Sequence, residues 1–237
     1  MHAVRFHEHG DIEVLKYEEA PEPTIQANEV LVKVKACALN HLDLWLRQGV
    51  SDWQLPLPHI VGSDISGEVA EAGSLVKRVK AGDRVLLSPG ISCGQCEMCF
   101  KGLDSACRSY TVFGVFVDGG YAEYVKSPEV NVIPIPGDLS FDEAAAVPLV
   151  FLTAWHMLFT RAQLKPGEDV LVIGAGSGVG SAAIQVAKSV SARVIATAGA
   201  DWKLDKARDL GADEVINHSQ QSIPEKSGAL RESAART

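Results

Sequence analysis

Short segments in which apolar and polar residues alternate dominate the first 140 residues and predict β-strands. In EVLVKVKA, the residues Val30, Val32 and Val34 recur with the period of two that is typical of a strand. Four further segments of this kind, DISGEVAEAG, DRVLLS, GGYAEYVK and NVIPIP, are separated by turn sequences such as KAGDR and VDGG. Many short strands at close spacing predict a barrel or a sandwich.

The pattern changes near residue 140, where helices begin to alternate with strands. Ser140 stands three residues before Glu143, which is the capping-box signature of a helix start. From Val170 the order is strand DVLVIG, helix VGSAAIQVAKSV, strand ARVIATA, helix DWKLDKARDLG and strand DEVIN. We expect Asp201 to be the N-cap of the second of these helices and Gly211 to follow its end. Such alternation predicts an α/β domain with a parallel sheet.

The periodic pattern stops after His218, and residues 219–237 have little apolar content. We expect this tail to be disordered. Three strands and two helices make only the first half of a doubly wound nucleotide-binding domain, which contains two such halves. The sequence therefore predicts a sheet with an uncovered edge.

Composition and charge exclude some classes of partner. The formal net charge of −8 disfavours nucleic acid and anionic membrane surfaces, because both attract Lys and Arg. The N-terminal residues lack the basic and apolar regions of a secretory signal, so we expect a cytoplasmic protein. The most apolar segment, AAAVPLVFLTAWHMLF, contains Pro148 and His156 and predicts a buried helix rather than a membrane span.

Four of the five cysteines stand together with the spacing C-x2-C-x2-C-x7-C, and they are Cys93, Cys96, Cys99 and Cys107. In a reducing compartment such a cluster binds metal more often than it forms disulfides. Four thiolates bind zinc tetrahedrally and leave no position open for substrate, so we predict a structural zinc. Disulfides and an iron–sulfur or redox role are the alternatives. The fifth cysteine, Cys37, is expected to be a small buried residue on a strand.

The glycine-rich turn in VLVIGAGSGVG follows a strand and opens a helix, which predicts a nucleotide-binding site. The residues expected to approach a pyrophosphate are Gly176, Ser177, Gly178 and Val179. The G-x-G-x-x-G pattern is not met, so a tight strand-to-helix connection remains the alternative. The second strand ends without a carboxylate for the ribose hydroxyls, and Lys203 follows it, which favours NADP over NAD.

Together these features resemble the medium-chain dehydrogenase/reductase superfamily, which contains zinc alcohol dehydrogenases and quinone oxidoreductases. The resemblance extends from residue 1 to about residue 218 and includes NEVLVKVKACALNHLDLWLRQG, GSDISGEVAEAG, VKAGDRVLL, GGYAEYV, LTAW and ARDLGADEVIN. It implies a GroES-like β-barrel substrate domain over residues 1–140, with a zinc lobe at about 89–110 that holds the four cysteines. A partial Rossmann domain is expected over residues 141–218.

The resemblance also implies that a second, catalytic zinc site is absent. In the family's zinc alcohol dehydrogenases a Cys, a His and a second Cys hold this metal. The matching positions here carry Asn40, Ser63 and either Val150 or Phe151, and the proton-relay position carries Leu42. An apolar side chain cannot ligate zinc.

Residues of suitable type for a substitute metal site are His41, His59 and Asp64, although His more often packs or caps than ligates. Without that metal, the chain resembles the branch that transfers hydride from NADPH to a quinone or an enal. In that branch an Asn, here Asn40, lies near the nicotinamide, and Thr153 matches a residue beside it. A Tyr that often follows is replaced by Trp45, so the proton donor is not assigned.

Three hypotheses follow from these patterns. The first is an NADPH-dependent quinone or enal reductase with one structural zinc, whose missing second half leaves it active weakly or not at all. The second is a zinc-dependent alcohol dehydrogenase with an unconventional metal site. The third is a non-enzymatic, zinc-stabilised nucleotide-binding remnant. The resemblance places the family's dimer interface on a late strand, so we expect that interface to be absent.

Overall fold

The computed structural model describes residues 1–49 and 53–223. The chain divides into two compact units, Met1–Leu149 and a second that begins at Val150. The sequence interpretation placed a domain boundary after residue 140 instead. Most of the tail predicted to be disordered, from residue 224 onward, lies outside the described residues.

The first unit is built on antiparallel β-structure. Its strands are β1 (His2–Arg5), β2 (Lys16–Glu19), β3 (Glu29–Ala38), β4 (Asp64–Ala72), β5 (Arg84–Leu87), β6 (Gly90–Ile91), β7 (Thr111–Val112), β8 (Tyr124–Pro128) and β9 (Val132–Pro134). Five of them form a sheet in the order β8-β3-β4-β5-β9, while β1 pairs with β2 and β6 with β7. The helices are α1 (His41–Gln48), α2 (Glu97–Phe100) and α3 (Phe141–Ala145). The β-rich GroES-like domain predicted from the sequence is confirmed.

Strand β3 organises this sheet because its apolar face is buried in the first half of the strand and partly buried from Val34 onward. Val30 and Val32 are fully buried and pack with Val69 and Val85 of the neighbouring strands. Lys33, on the other face, is exposed. The period of two in the sequence thus becomes a half-buried strand, because successive side chains point to opposite faces of a sheet.

Helix α3 begins at the capping box that the sequence predicts. The Ser140 hydroxyl accepts a hydrogen bond from the Glu143 amide at 3.2 Å, and the Glu143 carboxylate accepts one from the Ser140 amide at 2.8 Å. Both donors would otherwise lack a partner at a helix start.

The second unit is an α/β layer. Its elements are α4 (Pro148–Trp155, which begins two residues before the boundary), β10 (Asp169–Ile173), α5 (Gly178–Ser189), β11 (Arg193–Ala198), α6 (Asp201–Asp209) and β12 (Glu214–Asn217). The strands form a parallel sheet in the order β10-β11-β12. Helix α5 packs on it through buried alanines and Ile184. The partial Rossmann fold is confirmed.

Two details of the second unit differ from the sequence predictions. The segment AAAVPLVFLTAWHMLF is not a single buried helix: its first two alanines end α3, and the rest forms α4 and then a π-helical turn, His156–Arg161. Ala154 is fully buried, whereas Leu152 and Trp155 are about half exposed. The prediction was wrong because the segment is apolar all round, while the described residues cover only one side of it.

The N-cap of helix α6 is Ala200, and Asp201 is the first helical residue. The Asp201 carboxylate instead accepts a hydrogen bond from the Asn217 side-chain amide at 2.7 Å. Gly211 follows the helix end with φ of +106°, as expected of a residue in the left-handed region. None of the helices within the described residues is long and apolar enough to cross a membrane.

Candidate functional site

The four clustered cysteines lie on a small lobe between strands β6 and β7. Cys96 caps the short helix α2, Cys99 lies within it, and a 3-10 turn at Asp104–Ala106 leads to Cys107. Gly94 and Gly102 each have φ of +70°, a conformation that other residues rarely adopt. These two glycines provide the sharp turns that bring the sulfurs together.

The geometry of the four sulfurs fits a tetrahedral zinc ion. All four lie within 4.8 Å of one another. The Cys96–Cys99 and Cys93–Cys107 sulfur pairs are 3.5 Å apart, and the Cys93–Cys99 pair is 3.9 Å apart. A tetrahedron with metal–sulfur bonds of about 2.3 Å has edges of about 3.8 Å. The pairs are too far apart for disulfides, whose sulfurs are about 2.05 Å apart.

Backbone amides in the lobe favour the thiolate form that a metal requires. Hydrogen bonding from the Gln95 amide lowers the pKa of Cys93, and hydrogen bonding from the Cys99 amide lowers the pKa of Cys96. An N–H donor stabilises the charged form of a thiol. The amide of Cys93 likewise lowers the pKa of Cys107, but desolvation and the neighbouring Cys93 and Cys96 thiols outweigh it and raise that pKa to about 11. Backbone hydrogen bonding thus favours the thiolate form at Cys93 and Cys96, and the four sulfurs together can hold one cation.

A second cluster surrounds Asn40, at the start of helix α1. The Asn40 side-chain amide donates a hydrogen bond to the Asp64 carboxylate at 2.9 Å, and the Asn40 backbone amide donates one to Asp43 at 2.8 Å. Asp64 also accepts from the backbone amide of Leu149, in the first turn of α4, at 2.6 Å. The Tyr121 hydroxyl donates to Asp43 at 2.8 Å. We call Asn40, Asp43, Asp64 and Tyr121 the Asn40 network.

Burial changes the acid–base properties of the Asn40 network. Asp43 and Asp64 are 4% and 2% exposed, and desolvation raises the pKa of both carboxyls. Desolvation likewise raises the pKa of Tyr121, with the Asp43 charge adding to it. The hydrogen bonds from Asn40 act in the opposite direction on both carboxyls, because they stabilise the charged form.

Two small residues allow the close packing around this network. Gly62 has φ of +107°, and a Cβ at this position would lie 2.7 Å from the Tyr121 ring and 2.9 Å from the Cys37 sulfur. Cys37 lies on β3, as predicted, and is partly buried. Desolvation raises its pKa to about 12, so its thiol stays protonated at neutral pH and is a poor nucleophile.

In the second unit, the glycine-rich turn lies at the carboxyl end of the parallel sheet. Ser177 is the N-cap of α5, and its hydroxyl accepts a hydrogen bond from the Gly180 amide at 3.0 Å. The Gly174 and Ala175 amides donate to the carbonyl oxygen of Thr197, at the end of β11. Gly176, Gly178 and Val179 thus lie at or beside a helix N-terminus, where amides and the helix dipole favour an anion.

Lys203, from helix α6, lies next to this turn. Its side-chain carbons lie so close to Gly176 that a Cβ on that glycine would come within 2.6 Å of them. Its Nζ is 5.3 Å from the centre of the Trp202 ring. The fold therefore brings together two of the predicted cofactor-binding residues that are 27 positions apart in the chain. Thr153 lies on α4 and is partly buried.

Comparisons with known proteins agree with this architecture. Residues 26–137 match the alcohol dehydrogenase GroES-like domain, and residues 178–234 match the zinc-binding dehydrogenase family. A solved NAD-dependent alcohol dehydrogenase has 50% sequence identity and a TM-score of 0.94, covering 97% of this chain and 67% of that one. The chain belongs to the zinc-type medium-chain dehydrogenase/reductase superfamily.

Curated members of the superfamily include both kinds of oxidoreductase that the sequence resembles. An alcohol dehydrogenase of Geobacillus stearothermophilus is 39% identical over 91% of this chain and 65% of its own length. A quinone oxidoreductase of Rattus norvegicus is 34% identical over 95% of this chain and 61% of its own length. The chain thus spans less than two thirds of these relatives.

Two of the residues that the sequence resemblance matches to catalytic-zinc ligands, Asn40 and Ser63, make side-chain hydrogen bonds within the protein. Asn40 bonds to Asp64, and the Ser63 hydroxyl donates to the Phe113 carbonyl at 2.7 Å and is fully buried. His59 is also buried, with Nε2 bonded to the Gly114 carbonyl at 2.9 Å. Within the described residues, the four cysteines are the one His, Cys, Asp or Glu cluster that converges on a metal position.

Three residues of this superfamily member were missed as site residues from the sequence. Asp43 and Tyr121 join the Asn40 network although they are 78 positions apart. Gly180 allows α5 to approach the turn, because a Cβ there would lie 2.3 Å from the Gly174 carbonyl oxygen. The sequence contains a signal for Gly180, which is the last glycine of GAGSGVG, but it lies one position later than the usual spacing.

Proposed function

We propose that the chain carries the site of an NADPH-dependent reductase of quinones or enals, with one zinc ion in a purely structural role. The observation that carries this proposal is the hydrogen bond from the Asn40 amide to Asp64, together with that from Ser63 to Phe113. By the sequence resemblance, both side chains match positions at which a zinc alcohol dehydrogenase has metal ligands. In this chain both side chains make hydrogen bonds to other groups of the protein, and neither carries a thiol or an imidazole.

The proposed roles follow from what each residue contacts. The zinc would be held by Cys93, Cys96, Cys99 and Cys107, and it would stabilise the lobe. Gly176, Ser177, Gly178 and Val179 would hold the pyrophosphate at the N-terminus of α5, with Thr153 beside the nicotinamide. When bound, the reduced nicotinamide supplies the hydride. Asn40, held by Asp64, would orient the acceptor, which is a small conjugated carbonyl or quinone.

The preference for NADPH rests on the end of strand β11. Thr197, Ala198 and Gly199 offer no carboxylate to a ribose, and the nearby Asp201 is occupied by Asn217. Lys203, beside Gly176, supplies a positive charge for a 2′-phosphate.

Zinc-dependent alcohol oxidation with NAD is the second candidate. It is favoured by the 50% identity to a solved NAD-dependent alcohol dehydrogenase. That chemistry needs a metal to polarise the substrate oxygen. It would therefore require a second zinc, in addition to the one that the cysteines hold.

The experiment that separates the candidates combines metal analysis with cofactor oxidation. We expect about one zinc per chain, oxidation of NADPH with a quinone, and no turnover of alcohols with NAD or NADP. Two zinc ions with alcohol turnover would support the second candidate instead. One zinc with no response of the melting temperature to any nicotinamide nucleotide would contradict both enzymatic proposals and favour a non-enzymatic remnant.

A matched pair of lysine variants tests the proposed preference for NADPH over NADH. Lys203 and Lys206 place Nζ 5.3 and 5.4 Å from the Trp202 ring centre, and the Lys203 side chain also lies against Gly176. We expect Lys203→Ala to weaken NADPH binding about tenfold while NADH binding stays the same, because a phosphate contact is lost. Lys206→Ala should change neither. Equal losses for both nucleotides would contradict the NADPH assignment.

A further inference from the structure

The ends of strands β11 and β12 are tied together at the carboxyl edge of the parallel sheet, where the ribose of the proposed cofactor would lie. Ala198 ends β11, Asn217 ends β12, and the two are paired in the sheet. Beyond them, the His218 amide donates a hydrogen bond to the Ala198 carbonyl at 3.1 Å, and the Ser219 hydroxyl donates one to the Gly199 carbonyl at 3.1 Å. The end of β12 is therefore held beside the turn that leads from β11 into α6.

The side chain of Asn217 is buried at this place and uses both ends of its amide. It is 7% exposed. Its Nδ2 donates to the Asp201 carboxylate at 2.7 Å, and its Oδ1 accepts from the Ser219 amide at 3.1 Å. A flipped amide would turn oxygen toward the carboxylate and N–H toward N–H, which neither partner can accept. The two partners thus fix the orientation of the Asn217 side chain.

Asp201 and Lys203 place opposite charges on the first turn of α6 and direct them to different sides. Residues two positions apart on a helix do not face each other. The Asp201 carboxylate points to Asn217, at the end of β12, whereas the carbons of the Lys203 side chain lie against Gly176 of the glycine-rich turn. The hydrogen bond from Asn217 is therefore what keeps the negative charge on the β12 side.

The Asp201 carboxylate would have other partners if Asn217 released it. Asp201 is exposed, so burial does not hold its side chain in place. The N-cap of α6 is Ala200, which has no side chain to cap the first amides of the helix. A free carboxylate can turn to those amides or toward Lys203. Either movement takes away positive charge that a phosphate would otherwise meet.

We propose that Asn217 is a positioning residue that sets the preference for NADPH, by holding the Asp201 carboxylate away from the place where Lys203 would meet the 2′-phosphate. This inference rests on the proposed NADPH site. NADH has no 2′-phosphate, so loss of the Asn217 bond weakens the binding of NADPH and leaves that of NADH nearly unchanged.

The test measures the dissociation constants of NADPH and NADH on the zinc-loaded chain by calorimetry. Asn217→Ala should weaken NADPH about fivefold at low ionic strength and change NADH by less than about twofold, because the charges involved are close to solvent. In about 0.5 M NaCl the loss for NADPH should shrink, since salt screens exposed charges. A purely structural role of Asn217 would weaken both nucleotides alike and would not depend on salt.

A second substitution in the Asn217→Ala background shows whether the effect passes through Asp201. Adding Asp201→Asn should restore the preference for NADPH, because it removes the freed charge. Adding Asp205→Asn should not, although it removes the same charge from the same helix, where Asp205 is paired with Arg208 at 2.6 Å. Melting curves check that each variant is folded.

Asn217→Asp provides an isosteric variant should Asn217→Ala unfold. It keeps an oxygen for the Ser219 amide but presents a carboxylate to Asp201, so it should also lower the preference for NADPH. Adding Asp201→Asn should restore the preference, since an amide again faces a carboxylate.

Three results would overturn the inference. A parent chain that binds NADH as tightly as NADPH would contradict the proposed NADPH site and this inference with it. A parent that prefers NADPH, with a preference that survives both substitutions of Asn217, would contradict this inference alone. Equal rescue by Asp201→Asn and Asp205→Asn would show that net charge, and not the position of the Asp201 carboxylate, sets the preference.

Discussion

The four cysteines and the Asn40 network both hold reactive polar groups close together, but the cysteines lie on a partly exposed lobe and the carboxyls of the network are buried. The four sulfurs lie at the edge lengths of a zinc tetrahedron and have few protein partners other than backbone amides and one another. In the Asn40 network, side chains and backbone amides of the protein donate hydrogen bonds to both carboxylates. The stability of the cysteine lobe therefore depends on a metal, whereas the stability of the Asn40 network depends on whether its two carboxyls carry protons.

Replacing Cys96 with Ser tests the structural role of the metal. We expect the variant to lose most of its zinc and to melt at a lower temperature, because three thiolates leave the tetrahedron open. Zinc is measured by mass spectrometry, unfolding by calorimetry, and NADPH binding by titration. Affinity for the nucleotide should change only where the chain has begun to unfold.

Cys37→Ala serves as the control, since Cys37 is on strand β3 and outside the cluster. It should keep the zinc content of the parent chain. Loss of nucleotide affinity in Cys96→Ser with zinc still bound would show that the structural assignment is wrong.

The buried carboxyl of Asp64 should make stability depend on pH. Its pKa is raised above the ordinary 3.8 by desolvation, so the folded chain binds this proton more tightly than the unfolded chain does. Its contribution to stability is therefore present at low pH and is lost as the pH rises from 3.8 through the raised value. The variant Asp64→Asn cannot titrate at this position and should lack this loss.

The measurement is urea unfolding of both proteins between about pH 4 and pH 8. The parent's unfolding free energy, relative to that of Asp64→Asn, should fall by roughly 1.4 kcal/mol for each unit by which the pKa is raised. Asp138→Asn, at an exposed position, should follow the parent at every pH. A constant difference between the parent and Asp64→Asn would mean that folding leaves the pKa of Asp64 unchanged.

At the scale of elements, the junction of β10 and α5 depends on a close approach between a helix and a turn. Gly180 lies in the first turn of α5, and a Cβ there would come within 2.3 Å of the Gly174 carbonyl oxygen, which is backbone and cannot rotate away. Gly180→Ala should therefore lower the unfolding free energy by about 1–3 kcal/mol, as overpacking does.

In Gly180→Ala the affinity for the nucleotide should fall together with the unfolding free energy, because the N-terminus of α5 must shift. Ser181→Ala changes the next residue of the same helix, where the side chain is partly exposed and bonds only to the Gly178 carbonyl. It should leave both unfolding and nucleotide binding nearly unchanged. Equal stability of the two variants in urea would show that α5 does not need this close approach.

At the scale of the whole molecule, the parallel sheet has an edge strand with an exposed apolar face. Within the described residues β10 pairs only with β11, and Leu171 and Ile173, on the face opposite the buried Val172, are 42% and 68% exposed. This agrees with the uncovered edge predicted from three strands and two helices. An exposed apolar edge favours association with another chain.

Ile173→Lys should reduce concentration-dependent association, measured by sedimentation velocity, and change the unfolding free energy by less than about 0.5 kcal/mol. Ile12→Lys is the control, because Ile12 is 66% exposed but lies in a 3-10 turn outside any sheet. A parent chain that stays monomeric over the same concentrations, or an equal response to both lysines, would contradict the role of the edge.

Local signals in the sequence were enough to predict the helices and strands, the four metal-binding cysteines and the glycine-rich turn. The alternation in β3, the Ser140–Glu143 capping box and Gly211 each depend on residues within about four positions of one another. The cysteine spacing belongs to the same class, since one short lobe supplies all four sulfurs. These features form because backbone geometry and nearby side chains decide them, with little help from the rest of the chain.

Only the tertiary structure decided which distant groups meet. Asp64 reaches Asn40 across 24 positions, Ser63 reaches Phe113 across 50, and Tyr121 reaches Asp43 across 78. Periodicity also did not show which face of α4 is exposed, because that depends on the segments that pack against the helix. Such contacts follow from strand register and the path of the connections, which no periodicity encodes. The sequence thus determined the fold and the metal lobe, and folding in three dimensions determined the network around Asn40.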